Sequence, residues 1–137
     1  MGEIIKIGVC GSPLYENKTY IKETIYKLKR TFGNSLVIVT GGRTSGADKH
    51  IKKFALEFGC KYIEYNPSHT KKNLYSAMQE GFYNKPYSSR NFFIRNAIMV
   101  KYVDYMIVFV EEGKGNSDIS HLITETQKKN KKLIIMD

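Results

Sequence analysis

No stretch of this sequence approaches the ~20 consecutive apolar residues that a membrane-crossing helix needs, and no long apolar segment with a small-residue cleavage site opens it. Met1 to Lys6 runs straight into a short apolar strand pattern, and the residue at position 6 is neither Ser nor Thr, so no myristoyl anchor is expected at Gly2. The expectation is a cytoplasmic protein with no membrane partner. Cysteine is scarce as well: Cys10 and Cys60 lie in apolar strand contexts without paired spacing. With three scattered histidines they make neither a disulfide framework nor a metal site, so buried free thiols in a reducing compartment are expected, and no metal. Internal repeats, low-complexity tracts and linkers are missing too. At 137 residues that leaves one domain, 1–137, long enough for a real core.

Acidic residues are the other shortage. There are 13 Asp and Glu against 22 Lys and Arg, a formal charge of +9. Such an excess concentrates any polyanion, whether nucleotide, nucleic acid or acidic protein, without choosing among them. Part of it, Lys128, Lys129, Lys131 and Lys132, falls at a predicted helix end, where cations suit the helix dipole, and reads as a solvated cap.

What is present is an apolar periodicity that switches repeatedly between strand and helix. Ile4 to Cys10 reads as a strand ending at Gly11-Ser12-Pro13, and Ile21, Ile25, Leu28 and Phe32 form the stripe of an amphipathic helix that Gly33-Asn34 stops. Leu36 to Thr40 is a continuous β-branched run, the pattern of a strand covered on both faces. Ile51, Phe54, Ala55 and Phe58 mark a second helix closed by Gly59, and Cys60 to Tyr65 a third strand. The stretch from Ser68 to Ser89 is irregular, with a short helix expected near Leu74 to Glu80. A helix from about Ser89 to Tyr102 follows, with Phe93, Ala97 and Val100 on one face, then a strand Tyr105 to Val110, a helix Ile119 to Lys129 and a strand Leu133 to Met136. The alternation predicts a single Rossmann-like three-layer α/β domain with a mainly parallel sheet of about five strands. In that architecture the ligand crevice lies outside the carboxyl ends of the strands.

Three clusters fall where such a crevice would be. Gly11-Ser12 ends the first strand, where glycine admits close backbone approach and Ser12 adds a hydroxyl. The second strand ends in Thr40-Gly41-Gly42-Arg43-Thr44-Ser45-Gly46-Ala47-Asp48, whose glycines permit a tight turn and whose Arg43, Thr44 and Ser45 match phosphate oxygens as donors. It is neither a Walker A loop nor the dinucleotide Gly-x-Gly-x-x-Gly pattern. Asp48 is suited either to the first turn of a helix or to a ligand hydroxyl. The third cluster is Arg95-Asn96, polar residues inside a helix that packs on the sheet. They need satisfying partners, which a bound phosphate and a base or ribose edge would supply.

Taken in order, Gly11-Ser12, Thr40-Gly41-Gly42, Gly46-Ala47-Asp48 and Arg95-Asn96 eight residues before Asp104 resemble the SLOG superfamily, which includes the DprA/Smf and lonely-guy proteins, and most of all its YspA-like branch. Thr40 stands where that branch usually has Ser, and the loop Arg43-Thr44-Ser45 is one residue longer than its usual spacing. The family spacing to the following strand selects Arg95-Asn96 over Arg90-Asn91. After the fourth strand the family's Ser-x-Gly-Thr phosphate turn is replaced by Gly113 to Asp118, with Ser117 in place of the Thr. The lonely-guy catalytic signature is absent, and Glu125 lies eight residues beyond Ser117. Tyr15, Glu16 and the aromatic stretch Phe82 to Tyr87 have no family role and are candidates to cover the crevice or stack on a base.

The resemblance implies binding of a phosphate-containing nucleotide or derivative, related to NAD or ADP-ribose among the options, by a sensor or sequestering module. The expected ligand residues are Gly11, Ser12, Gly41, Gly42, Arg43, Thr44, Ser45, Gly46, Asp48, Arg95, Asn96 and Ser117. No cofactor is expected to be required beyond that nucleotide-type ligand. Two alternatives stand beside it. One is an N-glycosidic hydrolase acting on a nucleotide, with Asp48, Asp118 or Glu125 as its carboxylate. The other is single-stranded nucleic-acid binding of the DprA type, prompted by the positive charge. The resemblance also implies a homo-oligomer, a dimer or tetramer.

Overall fold

A computed structural model describes residues 3–137; the expectation about Gly2 falls outside them. Five strands and four helices alternate along the chain: β1 (Ile5–Gly11), α1 (Lys18–Phe32), β2 (Leu36–Thr40), α2 (Gly46–Glu57), β3 (Lys61–Glu64), α3 (Arg90–Tyr102), β4 (Tyr105–Phe109), α4 (Ser117–Lys128) and β5 (Lys132–Met136). The strands form one sheet in the order β3-β2-β1-β4-β5, and every neighbouring pair is parallel. This is the expected single Rossmann-like domain, and the strand order reverses beside β1. Among the described residues no helix is long and apolar enough to cross a membrane.

The continuous β-branched run of β2 has the consequence predicted for it. Leu36 and Ile38 face the layer of α1 and α2 together with Ile7, Val9, Ile107 and Phe109. Val37 and Val39 face the layer of α3 and α4 with Met99, Val100, Met106 and Val108. Period-two alternation in a sheet buried on both sides makes every position of β2 a core position. Helix starts are fixed locally: Asn17 Oδ1 accepts from Tyr20 N at the start of α1, and Asn116 Oδ1 from Ile119 N at the start of α4.

Three expectations are corrected. Leu74 to Glu80 is not helical. It runs in turns alongside β3, with Glu64 N donating to Tyr75 O and Ala77 N to Glu64 O, and only Glu80–Phe82 makes a single 3-10 turn. These bonds satisfy the edge of β3 from outside the sheet, a tertiary demand that local propensity does not register. Tyr15 is not a cover for the crevice. It is fully buried, packs on Phe109 with ring centroids 5.3 Å apart, and donates its hydroxyl to Asp137 O. The inward face of α3 is also different: Asn91, Arg95, Asn96, Met99 and Val100 are buried, while Phe93 and Ala97 are only partly covered.

Candidate functional site

The loops that follow β1, β2, β3 and β4 meet at the carboxyl end of the sheet. Ser12 N donates to Phe109 O at 2.9 Å and Ala47 N to Ser12 O at 3.1 Å, so the ends of β1 and β4 and the start of α2 are tied directly together. Backbone approach this close explains two of the glycines. A Cβ on Gly11 would collide with Phe109 O and the Ala47 side chain, and one on Gly46, at φ +65°, would sit inside the backbone of Pro13. Ser12 is consumed by the same junction. It is fully buried, donates its hydroxyl to Lys114 O and accepts from Leu14 N.

Above this junction lie two carboxylates and two guanidiniums. Asp48, on the first turn of α2, accepts Gly11 N at Oδ1 (3.0 Å) and Arg43 N at Oδ2 (3.2 Å). Burial pushes its carboxyl up to about 6 against the pull of Arg95, Arg43 and those two amides. Asp118, on the first turn of α4, receives Arg95 Nη2 at 2.9 Å and Arg43 Nη2 at 2.6 Å on Oδ2, and Asn96 Nδ2 at 2.7 Å on Oδ1. Arg95 Nη1 donates to Gly41 O and Tyr65 O. The partner that a polar pair inside α3 requires is therefore supplied by the protein, from α4, and this is why α3 turns Arg95 and Asn96 inward.

One donor is left over. Arg95 Nε is buried and has no hydrogen-bond partner. Arg95 lines a cavity of about 10 Å³ together with Cys10, Gly41, Asp48, Asn96 and Asp118, enough for one water-sized group. The Cys10 thiol lies 3.9 Å from Met99 Sδ and is raised well above its usual value by burial first and by Asp48 next. Both cysteines are free and buried.

The other expected residues separate into a floor and a mouth. Gly41 and Gly42 belong to the floor: a Cβ on Gly41 would strike the Arg95 guanidinium, and one on Gly42 the Asn66 amide. Thr44, Ser45 and Ser117 are exposed at the mouth, and Arg43 lies between the two, its side chain 21% exposed. Glu125 is apart from them, about two turns further along α4, and is held below the ordinary range by Lys129, despite burial, with Lys128 and His121 adding to the pull.

Sequence reasoning missed one group and the way a second is assembled. Glu64 is buried on β3 and accepts from Tyr62, Asn66 and Asn73, with Lys52 at 3.2 Å. Burial alone would raise it, but those hydrogen bonds and the Lys52 charge hold it below its usual value. Thr40 reaches the same network through Tyr62. The second group is aromatic: the His69 ring lies 4.7 Å from Tyr87 and 5.1 Å from Phe92, and Arg43 sits 4.9 Å over Phe92. Tyr62-x-Glu64, a period-two pair in a strand, is a signal from which the first could have been found. Tyr87 and Arg43 are each candidates in the sequence, but nothing local shows that His69 and Phe92, from other parts of the chain, join them.

Fold and site together define a Rossmann-like α/β domain with a charged cluster at the point where the strand order reverses. Residues 5–71, just under half of the chain, match the family described as "YspA, cpYpsA-related SLOG family", in agreement with the resemblance of the motifs to the YspA-like branch. No curated protein matches the chain. Several solved structures share its fold. The molybdenum cofactor binding protein of Rippkaea orientalis superposes with a TM-score of 0.71 at 20% identity, over 98% of this chain and 77% of that one. The molybdenum cofactor carrier protein of Chlamydomonas reinhardtii does so with a TM-score of 0.65 at 19% identity, over 97% and 76%. These neighbours correct one expectation, that no cofactor is required, since each is named for a cofactor that it binds or carries.

Proposed function

We propose that this chain binds a small phosphate-bearing molecule at the carboxyl end of its sheet and holds it as a sensor or sequestering module. The ligand is a nucleotide or nucleotide derivative, or a cofactor of the kind for which the solved neighbours are named. The observation that carries the reading is the unpartnered Nε of Arg95, a buried cationic donor on a residue that lines the small cavity. Buried donors without an acceptor are rare in native proteins, and a ligand oxygen or a water held by one would complete this one. The enclosed space admits only a water-sized group, so the body of the ligand sits at the mouth, among Arg43, Thr44, Ser45 and Ser117. Arg43 is the residue free to change partner. It is partly exposed and bonds Asp118 through one nitrogen, so a phosphate can take its fork without opening the core.

The test is a thermal-shift screen against AMP, ADP-ribose, NAD, cyclic nucleotides and molybdenum cofactor. A ligand at ~100 times its dissociation constant adds ~2.7 kcal/mol of stability. Arg43→Ala should abolish that shift in a protein that still folds, and Arg95→Lys should weaken it. Cooperative melting with no shift from any compound would overturn the reading, and a steep salt-dependent retardation of an oligonucleotide would then favour nucleic acid.

One observation favours turnover as a second reading. A carboxyl near 6 is suited to general acid-base work at neutral pH, and Asp48 is such a group beside the crevice. Release of free base from AMP, lost in Asp48→Asn, would identify an N-glycosidic hydrolase. Self-association also belongs to the proposal. β5 is an edge strand with Ile134 and Ile135 exposed, a surface a second copy would cover.

A further inference from the structure

The crevice mouth continues into an aromatic shelf that no phosphate needs. Tyr87 is 73% exposed, yet it is held: its ring lies 4.7 Å from His69 at 58°, and His69 meets Phe92 edge-on at 5.1 Å. Asn91 Nδ2 fixes this corner by reaching both His69 Nδ1 (3.1 Å) and Pro86 O (3.2 Å). The segment leading to Tyr87 is fixed too, with Asn84 N donating to Thr70 O and Lys85 N to Ser68 O. Burial, with Arg95 behind it, keeps His69 below its usual value and therefore neutral near pH 7. An exposed tyrosine on a supported loop is a face already in place, with little ordering left to do on binding. At its inner end the shelf reaches Arg43, 4.9 Å over Phe92.

We infer that Tyr87 is the stacking platform for a planar heteroaromatic ring, carried by the same molecule whose phosphate Arg43 takes. This rests on the anion-crevice reading above and adds the chemical class of the ligand's other end. Rings stack on tyrosine without hydrogen-bond readout, so the platform selects for flatness and not for one particular base. Charge agrees with the placement: His69, Tyr87 and Phe92 carry no carboxylate, and the Arg43 guanidinium lies at the Phe92 end.

The probes are AMP and ribose 5-phosphate, which share the phosphate and differ by the ring, titrated calorimetrically into the whole chain. Tyr87→Ala should weaken AMP about 5- to 150-fold, the range for losing one base-aromatic stack, and leave ribose 5-phosphate unchanged. Tyr87→Phe should restore AMP. Arg43→Ala should weaken both probes. If both probes bind and Tyr87→Ala leaves AMP as tight as before, the platform is overturned and the anion crevice survives. If neither probe binds the wild-type chain, both fall together.

Discussion

Arg95 and Asp118 are 23 residues apart in sequence and 2.9 Å apart in space, a buried ion pair that joins α3 to α4 at the carboxyl edge of the sheet. Asp118 also receives Arg43 and Asn96, so one carboxylate answers two cations and an amide. Removing one partner of a buried pair leaves the other desolvated and unpaired, which costs about 3–5 kcal/mol. Asp118→Ala should therefore lower unfolding stability by about that amount in urea titration. Arg43→Ala, which removes only the partly exposed partner, should cost about 1 kcal/mol or less. Equal losses would mean that Asp118 serves the mouth and not the α3–α4 joint.

Asp48 gives stability an unusual pH dependence. Its carboxyl is pushed up to about 6 in the folded chain by burial, against ~3.9 for an unfolded Asp. Between those values the native state binds the extra proton, so this group lowers stability as pH rises from about 4 to about 6 and has no further effect above. At 1.36 kcal/mol per pKa unit the loss is on the order of 2–3 kcal/mol. Glu64, held below its usual value, acts the other way: its contribution is present at neutral pH and fades as the medium is acidified through its folded value. Melting temperatures of wild type and Asp48→Asn from pH 4 to 8 check this. The variant should lack the fall between pH 4 and 6, and parallel curves would show that Asp48 ionises normally.

The order of elements and the covered sheet were legible because burial on both faces writes itself locally, as in Leu36 to Thr40. The bounds of α3 were legible for the same reason, from Arg90 close to the expected start to Tyr102 at the expected end. Its inward face was legible only in part: Arg95-Asn96 stood out as a pair in need of partners, but Asn91 looks like a solvent residue until His69 appears, and Asp118 lies far off in sequence. Ser12 was recognised as a special position, but its hydroxyl goes to Lys114 O, a contact across 102 residues. What local pattern cannot encode is which distant group a polar side chain will meet.

Glycines at the crevice and away from it should differ sharply in tolerance. Gly46 combines φ +65° with a Cβ position occupied by Pro13 backbone, whereas Gly81 has ordinary φ and open space around its Cβ. Strain in a disfavoured backbone region costs roughly 1–3 kcal/mol and overpacking a similar amount again. Gly46→Ala should lose at least about 3 kcal/mol or fail to fold, by the same strain and overpacking. Gly81→Ala should melt with the wild type. A well-folded Gly46→Ala protein would mean that the loop after β1 moves freely relative to α2.

β5 pairs only with β4, and its residues alternate without being covered: Ile134 is 42% exposed and Ile135 52%, on opposite faces of the strand. On the side of α1 the gap is a hollow of about 280 Å³ lined by Leu28, Phe32, Tyr105, Ile107 and Ile134. A bare apolar edge is a liability that proteins blunt with charge or cover, and the only charge within this strand is Lys132 at its start. A second copy meeting it antiparallel about a two-fold axis would place Ile134 against its own mate and extend the sheet across both chains. Light scattering should then find wild type as a dimer or larger, and Ile134→Lys as a smaller species with an unchanged circular dichroism spectrum. A wild-type chain that stays monomeric at high concentration would exclude the pairing, because nothing would then hold the edge against water.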